Sequence, residues 1–114
     1  GLCGGEVCPV DWEFLRHHGD YFFSCTVYIT TDGIRVLGNP LGGDEKIISG
    51  ESGAVTSGLV YHLMTDKRLE EWKKAVGLDQ DSVVLCISTE GDTDRENYRR
   101  VVWEGWYCDP DGRK

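Results

Sequence analysis

Two short turns of the sequence carry the residue types that could perform chemistry. Residues 49–54 (Ser-Gly-Glu-Ser-Gly-Ala) and residues 88–94 (Ser-Thr-Glu-Gly-Asp-Thr-Asp) each combine glycine, hydroxyl and carboxylate groups. Glycine lets a ligand approach the backbone, a helix amino terminus attracts anions, and Glu51 or Glu90 could contact a polar ring or a cation. The spacing matches no phosphate-loop, Rossmann or serine-nucleophile motif, so a ligand site and plain turn-and-cap chemistry both stay open.

The other polar clusters favour structural roles. His17 and His18 end a helical pattern with no third ligand near them in sequence, and His62 lies within an apolar helical stretch. Asp92 and Asp94 lack the ligand alternation and closing glutamate of an EF-hand, which favours a solvated turn and helix cap. The five cysteines are odd in number and irregularly spaced, and we interpret them as reduced thiols. No metal site is predicted.

The elements that must position the two turns follow from hydrophobic periodicity and from helix start and stop residues. Helices are predicted over residues 8–18, from the first turn to Met64, from Asp66 to Gly77, and from Asp94 onward. Residues 21–29 are aromatic or β-branched and predict a strand by propensity, and residues 47–48 predict a short one. Residues 82–88 form a continuous apolar run, which is typical of a central strand covered on both faces.

Short buried strands that alternate with helices predict an α/β fold, here a partial αβα layered sheet. No linker or repeat divides residues 1–114, so we expect a single unit. Only two or three strands are visible, and a strand this apolar needs neighbours on both edges. We therefore expect an incomplete sheet that exposes an edge and an apolar face.

Composition and charge narrow the class of protein. The chain has 114 residues, of which 39% are hydrophobic, and this is enough for one modest core. Twelve basic and twenty acidic side chains give a net charge of −8, which repels phosphate backbones, so no nucleic acid is expected as a partner. No run approaches the ~20 apolar residues that cross a bilayer, and a signal-peptide pattern is lacking. We therefore expect no membrane partner and a cytoplasmic location.

Five blocks of sequence carry a family resemblance. They are Gly-Leu-Cys-Gly-Gly-Glu at residues 1–6, Arg-Val-Leu-Gly-Asn-Pro at 35–40, Ile-Ser-Gly-Glu-Ser-Gly-Ala-Val at 48–55, Ile-Ser-Thr-Glu-Gly-Asp-Thr-Asp at 87–94 and Tyr-Arg-Arg-Val-Val-Trp-Glu-Gly at 98–105. Together they resemble the C-terminal part of the diaminopropionate ammonia-lyases, a family of fold-type II pyridoxal-phosphate enzymes. The resemblance covers essentially the whole chain but only the end of a longer family chain.

The resemblance implies a chemistry and a set of site residues. Pyridoxal phosphate would serve the release of ammonia from the amino acid 2,3-diaminopropionate, leaving pyruvate, in a homodimeric parent enzyme. Thr89, with Ser88 as the fallback, would donate a hydrogen bond to the pyridine nitrogen of the cofactor. Glu51 would tune the cofactor ring, and Gly50 would give the backbone clearance.

The resemblance also implies what this chain lacks. The Schiff-base lysine, the glycine-rich phosphate cradle and the acidic proton-transfer residues belong to upstream parts of the family chain. No catalytic residue is therefore expected here, and the chain alone should be inactive without the remainder of its parent. Glu90 with Asp92 would fix the loop that carries Thr89. Residues 25–38 would be largely helical after a short strand, against their β-propensity.

Two alternatives stay open. The first is a piece of a related fold-type II dehydratase that acts on serine or threonine, since the substrate-selecting residues lie largely outside this chain. The second is a non-catalytic acidic α/β interaction module.

Overall fold

A computed structural model describes residues 9–111, with the side chains of residues 9–11 left out. Residues 1–8, which hold the first block of the resemblance, and residues 112–114 lie outside the description. The helices are α1 (Pro9–His18), α2 (Val27–Gly38), α3 (Glu51–Thr65), α4 (Glu70–Val76) and α5 (Arg95–Val102), with a 3₁₀ turn at Lys67–Leu69 before α4. Between residues 9 and 111, no helix is long and apolar enough to cross a bilayer.

Helices α2 and α3 pack against each other at a close crossing. A Cβ atom added at Gly58 of α3 would overlap the main-chain oxygen of Ile29, and one added at Gly33 of α2 would overlap that of Ala54. The two glycines therefore let the helix backbones touch. Beside this crossing lies the buried core of Ile34, Ala54 and Val101, which joins α2, α3 and α5 and is flanked by Leu37, Tyr98 and Val102.

Helix caps explain where the shorter helices begin and end. The Asp66 carboxylate accepts from the main-chain N–H of Arg68 at 2.9 Å, and the Asp94 carboxylate accepts from that of Asn97 at 3.0 Å. Gly77 follows α4 with φ +75°, the left-handed conformation that ends many helices. The helices predicted at these positions are confirmed.

The strand predicted by propensity over residues 21–29 is wrong. Residues 27–29 open α2, and residues 21–26 are not paired as a strand. One face of α2, which includes Ile29, Thr30 and Ile34, is buried against α3 and α5. This burial outweighs a β-propensity worth at most ~1 kcal/mol over its whole scale. The helix implied by the family resemblance is confirmed.

The layered sheet is absent from residues 9–111, where no residue is assigned to a strand. Residues 82–88 carry no helix either, and Val83, Leu85 and Ile87 are 99%, 86% and 67% exposed. The short strand predicted at residues 47–48 is not formed either. There, the Ile47 N–H donates a hydrogen bond to the main-chain oxygen of Leu37 in α2 at 2.9 Å. A β-strand forms only when a neighbouring strand pairs with its backbone N–H and C=O groups, and residues 9–111 supply no such strand. The α/β prediction is therefore not met within this part of the chain.

A polar network holds the segment after α5 against α2. Arg35 donates from Nε to the main-chain oxygen of Val101 at 3.1 Å and from Nη2 to that of Trp106. Thr31 Oγ1 donates to the main-chain oxygen of Tyr107 at 2.9 Å. The segment therefore follows α2 through bonds to its backbone rather than through its exposed aromatic rings.

A second polar network links α2, α3 and the segment after α5. The buried His62 ring places Nε2 at 2.7 Å from Asp32 Oδ2 and Nδ1 at 3.6 Å from Asp66 Oδ2. Asp66 also binds the Arg68 guanidinium, with N···O distances of 2.7 to 3.1 Å, and Arg68 in turn pairs with Asp109. The hydrogen bonds from Arg68 hold the pKa of Asp66 at about 2, against burial that raises it.

Candidate functional site

The amino terminus of α3 lacks a cap from its own residues. Its N-cap is Gly50, which has no side chain, and the next residues are Glu51 and Ser52. The first N–H groups of a helix need acceptors from outside the helix, and they carry the positive end of its dipole. Here the acceptors come from the second turn of the sequence, because the main-chain oxygen of Glu90 accepts from Gly50 N–H at 3.1 Å.

The Glu90 carboxylate is the remote cap of α3. Its Oε1 accepts from Ser52 N–H at 3.2 Å and from Ser52 Oγ at 2.7 Å, and its Oε2 accepts from Thr93 Oγ1 at 2.9 Å. The hydrogen bonds from the Ser52 hydroxyl, Thr93 and the Ser52 amide together lower the pKa of Glu90. The carboxylate is therefore held in its ionised form at the positive end of the helix.

Glycines allow the two turns to lie this close. A Cβ atom at Gly50 would overlap the Glu90 carboxyl group, and one at Gly53 would come within 2.6 Å of Glu90 O and Ser88 Oγ. The sequence predicted that these glycines would clear space for a ligand. The structure shows that the space beside them is taken by the neighbouring turn, through contacts between residues 35 to 40 positions apart.

The hydroxyl groups at this junction differ in availability. Ser49 is only 2% exposed, and its Oγ donates to Glu90 O at 3.2 Å while lying 3.5 Å from Ser88 Oγ. The Ser88 hydroxyl therefore lies against Ser49, just before α3. Thr89 is exposed, and its hydroxyl has no hydrogen-bond partner among the residues the structure describes. Of the two predicted donors, Thr89 is the one with a free hydroxyl.

A small cleft of about 160 Å³ opens beside the junction. Its lining includes four carboxylates, from Glu51, Glu90, Asp92 and Asp94, together with Ser49, Gly50, Asn97 and Tyr98. Neither Ser88, Thr89 nor a lysine is among its lining residues. The predicted donors therefore flank the cleft rather than line it.

Tyr98 has a hydroxyl that is buried without a hydrogen-bond partner in the described part of the chain. The hydroxyl packs against Gly38 of α2, where a Cβ atom would overlap it. Burial, and to a smaller degree the Asp92 carboxylate, raises the pKa of Tyr98. The sequence placed Tyr98 in the helix that begins near Asp94 and in the family block at residues 98–105, and no local signal indicated its position at the cleft.

Glu51 stands at the first position of α3 and faces α5. Its Oε1 lies 3.5 Å from Asn97 Nδ2, which donates toward it. The role of Asn97 was missed by the sequence, although its position three residues after the Asp94 cap fixes it in the first turn of α5. Between residues 9 and 111, no three His, Cys, Asp or Glu side chains converge as metal ligands.

Comparison with known proteins shows which enzymes this chain is similar to. No protein-family model matches the chain. The diaminopropionate ammonia-lyase of Escherichia coli strain K12 is 49% identical over 105 residues, which is 92% of this chain and 26% of that enzyme. This chain is homologous to part of diaminopropionate ammonia-lyase. The resemblance predicted from the sequence blocks is confirmed, and the chain spans about a quarter of the length of the curated relatives it matches.

Two solved structures of diaminopropionate ammonia-lyase from Escherichia coli extend the match to three dimensions. One is a complex with an aminoacrylate-PLP azomethine reaction intermediate, with 48% identity and a TM-score of 0.87 over 93% of this chain and 28% of that one. The other is a complex with D-serine, with the same identity and TM-score over 93% of this chain and 27% of that one. The path of this chain therefore matches part of an enzyme that holds pyridoxal phosphate.

The residues at the junction include groups that a flat aromatic ring could contact. Thr89 has a hydroxyl with no hydrogen-bond partner among the described residues, a group that can donate to an uncharged ring nitrogen, and Gly50 and Gly53 let the two turns lie close together. The groups that hold a phosphate or anchor a cofactor covalently are not among the lining residues of the cleft. The arrangement can therefore position one edge of a flat ring, and it does not supply the whole site.

Proposed function

We propose that this chain forms part of a pyridoxal-phosphate-dependent ammonia-lyase that converts 2,3-diaminopropionate to pyruvate and ammonia. The observation that carries the proposal is the match of 93% of the chain to the enzyme bound to its reaction intermediate. The chain contributes one wall of the cofactor site, formed by the turn at residues 88–94 and the amino terminus of α3.

Within this wall, Thr89 would donate a hydrogen bond to the pyridine nitrogen of the cofactor and keep its own proton, and Ser88 is the fallback donor. When bound, pyridoxal phosphate withdraws electrons from the amino-acid carbon that loses its proton. A hydroxyl is a neutral donor, so it leaves the ring nitrogen unprotonated and limits this withdrawal. Glu51 tunes the ring from the α3 side, and Gly50 lets the turn of Glu90 approach.

The extended segment at residues 82–88 becomes a central strand of an αβα sheet in the complete enzyme. The exposure of Val83, Leu85 and Ile87 supports this role, because apolar side chains exposed in a row are unfavourable in water. The neighbouring strands come from the part of a longer protein that corresponds to the other three quarters of the relatives. The homodimer and the cytoplasmic location implied by the resemblance stay predictions.

No lysine between residues 9 and 111 lies at the cleft, so we infer that the covalent anchor of the cofactor comes from outside this part of the chain. Its described lysines lie in a loop (Lys46), in the 3₁₀ turn (Lys67) or on α4 (Lys73 and Lys74), away from the cleft. We expect that mixing the chain with pyridoxal phosphate and borohydride traps no adduct on one specific lysine. Stoichiometric trapping at a single lysine would contradict the proposed division of the site.

A serine or threonine dehydratase is the second candidate. It is favoured by one observation, the complex of the related Escherichia coli enzyme with D-serine. A non-catalytic acidic module is the third, and it is opposed by the same match that supports the lyase.

A chimeric enzyme tests the proposal. This chain replaces the 105 matched residues of the Escherichia coli enzyme, and ammonia release is measured from 2,3-diaminopropionate, D-serine and threonine. We expect pyridoxal phosphate to bind and 2,3-diaminopropionate to be the preferred substrate. Preference for serine or threonine would favour the dehydratase, and a folded chimera that binds no cofactor would refute both.

A further inference from the structure

We propose that Glu90 is a positioning residue that sets the orientation of the Thr89 hydroxyl toward the cofactor ring. The inference rests on the proposed function, because it assigns Thr89 its partner. Glu90 itself faces α3 and has no direct contact with the cofactor in this role.

The first step of the argument is that Glu90 fixes the adjoining peptide at two points. Its main-chain oxygen accepts from Gly50 N–H and from Ser49 Oγ, at 3.1 and 3.2 Å. Its carboxylate accepts from the N–H and the hydroxyl of Ser52, at 3.2 and 2.7 Å. With both ends of Glu90 bound to the start of α3, the residue before it has little freedom to turn.

The second step is that Thr89 has nothing else to hold it. Thr89 is exposed, and its hydroxyl has no hydrogen-bond partner between residues 9 and 111. The backbone therefore sets where the Thr89 side chain starts, its χ1 rotamer sets the direction of the hydroxyl, and the backbone on its carboxyl side is held by Glu90. A ring nitrogen accepts a useful hydrogen bond only from a hydroxyl at the correct distance and angle.

The third step is that α3 itself needs Glu90. Gly50 offers no cap, and a larger residue at position 50 would overlap the Glu90 carboxyl group. The helix and the turn are therefore adapted to each other, and the cap of the helix also serves as the anchor of the turn. Glutamine has the same shape and can still accept from Ser52, whereas alanine removes all three side-chain hydrogen bonds, two from Ser52 and one from Thr93.

The test combines Glu90→Ala and Glu90→Gln with Thr89→Val in the chimeric enzyme, with Glu71→Ala as the matched control. Glu71 is an exposed glutamate of α4 that lies outside the junction. We expect Glu90→Ala to lower kcat by about ten- to hundredfold, since small misplacements of a contact group have effects of this size. Glu90→Gln should recover most of the loss, and Glu71→Ala should match the parent.

The decisive readout is whether the two effects are independent. If Glu90 acts through Thr89, Glu90→Ala should have little further effect on kcat or on the absorbance spectrum of bound pyridoxal phosphate once Thr89→Val is present. Equal losses in both backgrounds would overturn the inference and leave the proposed function intact. An effect of Glu90→Ala with none from Thr89→Val would overturn the assignment of Thr89 and, with it, the role of Glu90.

Amide hydrogen exchange on the 114-residue chain provides a readout that does not need the cofactor. Glu90→Ala should accelerate exchange at the amides of Gly50 and Ser52 by about tenfold, while amides of α4 keep their rates. Unchanged exchange at both amides would contradict the anchoring role. If Glu90→Ala prevents folding of the chimera, Ser52→Ala, which removes the 2.7 Å hydrogen bond from the Ser52 hydroxyl to Glu90, replaces it in the same comparison.

Discussion

The helical core and the extended segment at residues 82–88 are both rich in Val, Ile and Leu, yet they meet water in opposite ways. Ile34 and Val101 are 1% and 0% exposed, whereas Val83 and Leu85 are 99% and 86% exposed. A helix satisfies its backbone hydrogen bonds within itself and needs only one face covered. A strand needs neighbours for its backbone as well as for its side chains. The core is therefore complete within the chain, and the extended segment is not.

The two turns of the candidate site connect the helical core to the extended segment. The turn at residues 49–54 enters α3 and is anchored in the helical core. The turn at residues 88–94 leaves the exposed segment and enters α5. Glu90 joins the two turns, so the helical core holds the end of a segment whose apolar side chains are exposed. The following substitutions test which contacts stabilise the helical core and which stabilise the segments next to it.

The largest effect is expected at the crossing of α2 and α3. Gly58→Ala should lower the free energy of unfolding by about 3 kcal/mol, because the new methyl group overlaps the backbone of Ile29. Glycine to alanine within an ordinary helix stabilises, so the sign itself is diagnostic. Urea denaturation followed by circular dichroism measures the change, and Thr56→Ala on the exposed side of α3 is the control. A gain in stability at position 58 would contradict the close crossing.

A smaller loss is expected from Asp66→Asn, about 2 kcal/mol at neutral pH, because a buried hydrogen-bonded charge is removed. The pKa of Asp66 is lowered to about 2, so its contribution is complete above its ordinary pKa near 3.8 and is lost as the pH falls toward 2. The parent should lose this stability over that interval, and the variant should not.

Urea midpoints measured between pH 5 and pH 2 check this pH dependence. Glu70→Gln is the control, because its exposed pair with Lys74 has an N···O distance of 3.9 Å. An equally steep acid loss in Asp66→Asn would show that other carboxylates dominate.

Arg35→Gln should have the next effect, about 1.5 kcal/mol, because it removes charged hydrogen bonds to the carbonyl groups of Val101 and Trp106. The loss should be concentrated in the segment after α5. Amide exchange at Trp106 should accelerate more than exchange within α3. Arg95→Gln, at a side chain that is 89% exposed, is the control. Uniform acceleration over the whole chain would argue against a local anchor.

The smallest effect in the chain alone is expected from Leu85→Glu, within about 0.5 kcal/mol, because the side chain already faces water. The same change in the chimeric enzyme should abolish soluble expression, since the proposed sheet buries this position. Glu104→Gln serves as the surface control in both proteins. A stability loss above 1 kcal/mol in the chain alone would show that residues 82–88 pack within it.

Much of the helical framework was predictable because its signals are local. Asp94 caps α5 from the position before it, and Gly77 ends α4 from the position after it. The family resemblance was also readable, since it depends on blocks of sequence alone. The strand at residues 21–29 was wrong because its propensity was outweighed by burial against α3. The partners of Gly50 and Glu90 had no local signal, since they are 40 residues apart.

The amino-acid sequence by itself determined the end of α4, the start of α5 and the kinship with diaminopropionate ammonia-lyase, because caps and sequence blocks act or are recognised over short spans. Only the tertiary structure decided which face of α2 packs against α3, that Gly50 and Gly53 accommodate protein rather than open space, and that a carboxylate 38 residues away caps α3. Such contacts depend on which surfaces pack together, and packing is a property of the folded chain as a whole.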